Sequence, residues 1–141
     1  EWLRRLREYL EANFVPERDL VVWVGDLNIA PTEHDVYDPK TIWPHVCFCQ
    51  DVIDRFERFI EWGLVDVFRK HLPEPGTFTF WDYRMRGSIS RNRGWRIDHI
   101  LATPPMANLS RACAVDVEPR TQPGPSDHTF VYADFDDVPG D

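Results

Sequence analysis

The 141-residue chain has no apolar run near the roughly 18 residues that span a bilayer, and its longest stretch lies around Val21–Val24. A membrane partner is therefore not expected. Cysteines number three, an odd count that fits poorly with the paired frameworks of small secreted domains. A reducing, cytoplasmic compartment is the expectation. Cys47-Phe48-Cys49 could form half a zinc clip, but a second pair is missing and ordinary packing is the simpler reading. Glycine is scarce, at seven residues, and no Gly-rich phosphate cradle occurs, which argues against kinase or P-loop chemistry. A Gly-x-Ser-x-Gly elbow is also absent, which disfavours a serine acyl hydrolase. Basic residues are outnumbered, 16 against 24 acids, for a net charge of −8. That balance argues mildly against a nucleic-acid partner. Neither repeats nor linkers divide the chain.

Hydrophobic residues make up 43% and aromatics 13%, which excludes a disordered class. The length suits a single domain able to bury a core. Charge is unevenly spread. Asp134, Asp136, Asp137 and Asp141 crowd the C-terminal tail, whereas Arg84, Arg86, Arg91, Arg93 and Arg96 fall in one segment whose nearby acid is Asp82. Trp2, Leu3, Leu6, Tyr9 and Leu10 predict an amphipathic helix. Its charged start, Glu1–Leu10, is not expected to be a signal peptide, and the chain is expected to open partway through a longer protein. Leu20–Val24 predicts a buried strand stopped by Gly25, Asp35–Gln50 an ordered loop, and Val52–Leu64 a second helix ended by Gly63. Thr77–Tyr83, Trp95–Ala102, Cys113–Val117 and Thr129–Phe135 are strand candidates, with a polar loop at Arg84–Gly94 and a helical turn at Pro104-Pro105. Strands interleaved with helices imply a layered α/β or α+β domain.

Three clusters place acids at strand ends. In Gly25-Asp26-Leu27-Asn28, an extended chain would point Asp26 and Asn28 the same way, and Gly25 would let another group approach. An Asx turn closing the strand explains the same residues. In Arg96-Ile97-Asp98-His99-Ile100-Leu101, Asp98 lies within a core strand and needs a partner, because an unpaired buried charge is costly. In Ser126-Asp127-His128, an acid and an imidazole follow the rigid Pro123-Gly124-Pro125 turn. Together Asp26, Asn28, Asp98, Asp127 and His128 offer oxygen ligands for Mg²⁺ or Mn²⁺ beside an imidazole. That composition suits hydrolysis of a phosphate ester by an activated water.

Four motifs in order, Gly25-Asp26-Leu27-Asn28, Trp81-Asp82-Tyr83-Arg84, Asn92-Arg93-Gly94-Trp95-Arg96-Ile97-Asp98 and Pro125-Ser126-Asp127-His128, resemble the exonuclease III family of abasic-site endonucleases. Val36–Pro39 and Gly63–Arg69 extend the likeness across nearly the whole chain. The resemblance implies an α+β fold, half of a four-layer αββα (DNase I-like) sandwich, with a mixed sheet and helices on one face. It implies a DNA-repair hydrolase that cuts 5′ to abasic sites and trims 3′ ends, in a bacterial cytoplasm near the nucleoid. Asp26 would activate or position the attacking water, and Asn28 would orient water and phosphate. Asp98 would hold His128, which would donate to a phosphate oxygen or act as the general base. Asp26, Asn28, Asp127 and His128 would surround Mg²⁺, with Mn²⁺ as a substitute.

The same resemblance implies a small apolar pocket for a flipped-out, baseless sugar, lined by Phe80, Trp95 and Ile97. Trp81 would be either a wedge or a core residue. Arg84, Arg91, Asn92 and Arg93 would contact the phosphates of double-stranded DNA without reading sequence. An acidic total does not oppose this, since binding needs only one basic face. The family's N-terminal half, with its principal Glu ligand, an Asn and a Tyr, has no counterpart here. Residues 1–141 are thus expected to be the C-terminal half of one domain, with an apolar sheet face that packs on the missing half. Two other readings are a superfamily phosphatase on a small or lipid phosphate and a non-catalytic DNA-binding module.

Overall fold

The computed structural model describes residues 1–138; Asp141 of the acidic tail lies outside them. Helix α1, Trp2–Asn13, presents Leu3, Leu6 and Leu10 to the interior. Its other side carries Arg–Glu pairs such as Arg7–Glu11 at 2.7 Å, each contributing about 0.3–0.5 kcal/mol at such exposure. Strand β1, Val22–Asp26, is followed by the 3₁₀ turn Glu33–Asp35 and a short helix α2, Pro39–Ile42, inside the expected loop. Asp38 caps α2 by accepting from the Thr41 amide at 3.2 Å, a local signal for a helix start. Helix α3, Gln50–Trp62, buries Phe56 and Phe59.

The short strand β2, Val65–Asp66, runs directly into helix α4, Val67–His71, capped by Asp66. Strand β3, Asp98–Ala102, is followed by α5, Pro104–Leu109; β4, Ser110–Asp116; α6, Glu118–Thr121; and β5, Phe130–Phe135. One sheet has the order β1-β3-β2 and a second joins β4 to β5. Every strand pairing among the described residues is antiparallel, so the expected mixed sheet is not formed within this chain. The α+β layering is as expected.

Period-two alternation splits β3 between two cores. Leu101, opposite Trp23 of β1, meets α1 and α3 in a cluster with Leu10, Phe56, Phe59 and Leu64. Ile100 and Ala102 face the other way, onto Val67 and Phe68 of α4, Ala107 of α5 and Cys113 of β4. Helices therefore lie on both sides of this short sheet rather than on one. Beyond their edge, Val24, Phe130 and Tyr132 remain 62%, 69% and 50% exposed, and all three line one shallow cleft.

The expected strand Thr77–Tyr83 is instead an irregular segment with single bridges. Phe80 pairs with Trp95 on one side and His128 on the other. Its backbone N–H donates to the Trp95 carbonyl at 2.9 Å, and Trp81 N–H donates to the Asp127 carbonyl at 2.8 Å. This segment stitches the two sheets together.

Candidate active site

The first site element closes β1. Gly25 has φ +141°, a conformation suited to glycine, and an added Cβ would meet nothing within 4 Å. Backbone conformation, not close approach, is what requires Gly25. Asn28 is left-handed at φ +53° rather than extended, so it meets Asp26 through a turn. Its N–H donates to Asp26 Oδ1 at 2.8 Å and its Nδ2 donates to Asp26 Oδ2 at 3.0 Å. The Asx turn and the candidate site are thus one object, in which Asn28 orients the carboxylate.

The second and third elements converge across 30 residues. Register pairs Asp26 with Asp98, and the stitching segment delivers His128 beside them. His128 Nδ1 lies 2.9 Å from Asp98 Oδ2 and 3.2 Å from Oδ1. An ionised carboxylate only accepts, so Nδ1 carries the proton and Nε2 is left for chemistry. Nε2 stands 3.9 Å from Asp26 Oδ2, too far for a hydrogen bond. Asp26, Asn28, Asp98 and His128 are therefore gathered in one place. Asp127 is half-buried with its carbonyl held by Trp81, and its carboxylate raises the Arg84 pKa only behind the nearer Asp82 and Tyr83.

The expected metal set is not closed by this chain. Among the described residues no group of three His, Cys, Asp or Glu side chains is arranged to hold a metal ion. Asn28 donates one hydrogen bond to each Asp26 oxygen, which leaves each a lone pair, and Mg²⁺ is commonly held by one or two carboxylates completed by waters.

Phe80 and Trp95 are half-buried, and the Phe80 ring stands edge-on to His128 at 5.0 Å. His45 packs on Trp95 with ring centroids 4.7 Å apart, extending an aromatic wall beside the imidazole. Ile97 is only 4% exposed and belongs to the core beneath this wall with Ala30, Val36 and Phe48. Trp81 is a core residue rather than a wedge, at 2% exposure, with Nε1 donating to Asn92 Oδ1 at 3.2 Å. Asn92, left-handed at φ +47°, also donates to the Gly76 carbonyl at 2.7 Å. Its side chain braces the loop instead of reaching outward. Arg84, Arg91 and Arg93 are exposed, Arg84 in a fork with Asp82 at 2.9 Å.

Arg96 leaves the cationic loop altogether. It is fully buried, with Asp35 at 2.6 Å and Asp66 at 2.9 Å, and its guanidinium stacks 4.9 Å from the Phe68 ring centre. Arg69 also pairs with Asp35. Two acids and two guanidiniums thus form a charge-balanced interior cluster. Burial alone would raise Asp35, but Arg96 and Arg69 hold its carboxyl below the ordinary value. His99 adjoins this cluster at 1% exposure, and burial together with the Arg96 charge pushes its pKa down to about 3. Arg96, Asp35, Thr79 and His99 carry no sequence signal for these roles, because the cluster is closed by contacts 18, 61 and 70 residues apart along the chain. Thr79 Oγ1 accepts from the Ile97 and Asp98 amides, each at 3.2 Å, and so anchors the carboxylate strand.

The chain is similar in sequence and fold to characterised proteins. Exodeoxyribonuclease III of Haemophilus influenzae is 31% identical over 137 residues, covering 92% of this chain and 51% of that protein. An AP endonuclease structure from Archaeoglobus fulgidus superposes with a TM-score of 0.91 at 44% identity, covering 96% of this chain and 52% of the other. A 3′ phosphatase from Neisseria bound to a product DNA hairpin superposes with a TM-score of 0.84 at 36% identity, with coverages of 96% and 52%. The chain spans about half or less of the curated relatives it matches. Residues 1–128 match the model of the Endonuclease/Exonuclease/phosphatase family. Fold, ordered motifs and relatives agree, and the chain belongs to that family, in its exonuclease III branch.

Proposed function

We propose that this chain is the His-bearing half of a DNA-repair nuclease that hydrolyses the phosphodiester 5′ to abasic sites, with 3′–5′ exonuclease and 3′-phosphatase activity. The observation that carries the reading is the Asp98–His128 contact at 2.9 Å, set beside the Asn28-oriented Asp26 carboxylate and the Phe80–Trp95 wall. Asp98 fixes the imidazole by accepting the Nδ1 proton at 2.9 Å. Protonated Nε2 then donates to a phosphate oxygen, meeting charge that develops in the transition state. Asp26 lies on the same side and accepts the proton of the attacking water. His128 as general base remains the second reading, since Nε2 is also the free nitrogen in the neutral ring.

Double-stranded DNA fits this geometry. The exposed Arg84, Arg91 and Arg93 supply phosphate contacts, and Phe80 with Trp95 offers an apolar face for a baseless sugar. Mg²⁺, or Mn²⁺ in its place, belongs to the proposal with oxygen ligands additional to those of this chain. The exposed cleft of Val24, Phe130 and Tyr132 supports packing of further chain, the N-terminal half of the same protein, against this face. A cytoplasmic setting is part of the same reading.

The test is incision of a duplex carrying one synthetic abasic site by the complete protein, with Mg²⁺ and with chelator. A metal-dependent nick 5′ to the lesion is expected. Hydrolysis of small or lipid phosphates without DNA incision would replace this reading with the phosphatase one.

A further inference from the structure

The geometry points to His99 as a positioning residue for the hydrolysis, clasping the Gly25–Ile29 turn and with it Asp26 and Asn28 from the face of the sheet opposite Asp98. The inference rests on the function proposed above and adds a residue outside the four that surround the reacting phosphate.

His99 holds both ends of that turn. Its backbone lies in register with Gly25, while its Nε2 is 2.8 Å from the Ile29 carbonyl, four residues further along. The direction of each hydrogen bond follows from chemistry. Arg96 can only donate, so His99 Nδ1, 3.1 Å from Arg96 Nη1, is the acceptor. The single proton of the neutral ring is then on Nε2, and it donates to Ile29. Arg96 cannot turn to offer another atom, since Asp35 and Asp66 grip it from two sides. Phe56 packs on the ring at 5.0 Å and fixes its plane.

Between the clasped ends, the turn carries its own chemistry. Leu27 N–H donates to the Ile97 carbonyl at 3.0 Å, and left-handed Asn28 orients Asp26 through two hydrogen bonds. Without the Ile29 anchor, the left-handed residue has an easier conformation open to it. Asp26 would then lose its fixed aim at the space it shares with His128 Nε2.

Three variants of the complete protein test this. His99→Leu keeps an apolar body against Phe56 and deletes both hydrogen bonds. His99→Gln offers an amide oxygen to Arg96 and an amide N–H to Ile29. His99→Asn is too short to span both and stands in for the leucine variant if that one does not fold. At a temperature where each is folded, His99→Leu should lower kcat for abasic-site incision roughly 10- to 100-fold, with KM for DNA changed less than about threefold. His99→Gln should recover most of the loss. Hydrogen exchange at the Asn28 amide should quicken in His99→Leu and return toward wild type in His99→Gln. A folded leucine variant that is less stable yet keeps full kcat, or keeps the Asn28 exchange rate, overturns the inference. If the wild-type protein does not incise, the proposed function fails instead, and the Asn28 exchange rates still decide whether His99 holds the turn.

Discussion

Asp98 and His99 are neighbours in β3 whose side chains serve opposite faces of one sheet. Asp98 bonds the His128 imidazole at 2.9 Å, and His99 bonds the Ile29 carbonyl at 2.8 Å. Strand alternation makes this possible, since consecutive residues point to opposite sides. One dipeptide thus fixes the acid–imidazole pair from the front and the Asp26 turn from behind.

Asp98→Asn removes the negative charge that orients the His128 imidazole. In the complete enzyme, kcat for incision should fall on the order of 100- to 10,000-fold, the scale set by neutralising a carboxylate that orients a catalytic imidazole. Steady-state kinetics with an abasic duplex measures it. Unchanged kcat would remove the pair from the mechanism.

Asp35→Asn leaves Arg96 and Arg69 buried with one counter-charge fewer. Breaking a buried ion pair from one side costs about 3–5 kcal/mol. Urea unfolding of the complete protein should show a loss of that order. A loss under about 1 kcal/mol would mean that water reaches the cluster.

Stability should fall as pH drops below neutral, and His99 sets the sign. Its pKa is about 3 in the folded chain, against an ordinary value near 6.5 when unfolded. Between those values the unfolded chain takes a proton that the folded chain refuses, so this stability is fully present above about pH 6.5 and lost toward 3. The slope for one such proton is about 1.4 kcal/mol per pH unit. Asp35, held below its ordinary range, adds to the loss only below about pH 4. Urea midpoints measured from pH 7 to 4 should flatten in His99→Gln, and a variant with the wild-type slope would contradict the assignment.

Gly94→Ala tests the packing under the aromatic wall. An added Cβ would come within 2.6 Å of Trp81 Nε1 and 2.7 Å of Phe78 Cβ, distances that force movement of both rings. Overpacking of this kind costs about 1–3 kcal/mol. Thermal unfolding should show it, and a neutral substitution would mean that the Trp81 ring is free to shift.

Much of the local order is legible in the order of the amino acids. The spacing of Leu3, Leu6 and Leu10, the β-branched run into Gly25, and the stripe from Val52 to Leu64 each specify an element through periodicity, which depends only on near neighbours. Acids at strand ends are visible for the same reason, and the structure gathers Asp26, Asn28, Asp98 and His128 as one group. Thr77–Tyr83 departs from its expected strand because β-prone residues form one only where a partner offers a continuous edge. Here Phe80 meets single bridges on either side.

The sequence by itself determined α1, α3 and the set of polar residues available for phosphate chemistry, and it located β1, which however runs through Gly25 to Asp26 and is mostly exposed rather than buried. Tertiary structure alone decided which partner each polar group took. Arg96 reads as one more basic residue of an arginine loop, yet Asp35, 61 residues away, draws it into the core. Trp81 reads equally as wedge or core until Asn92 satisfies its indole. The physical reason is shared: a buried donor or charge must be paired, and the partner that pairs it is set by packing across the fold rather than by distance along the chain.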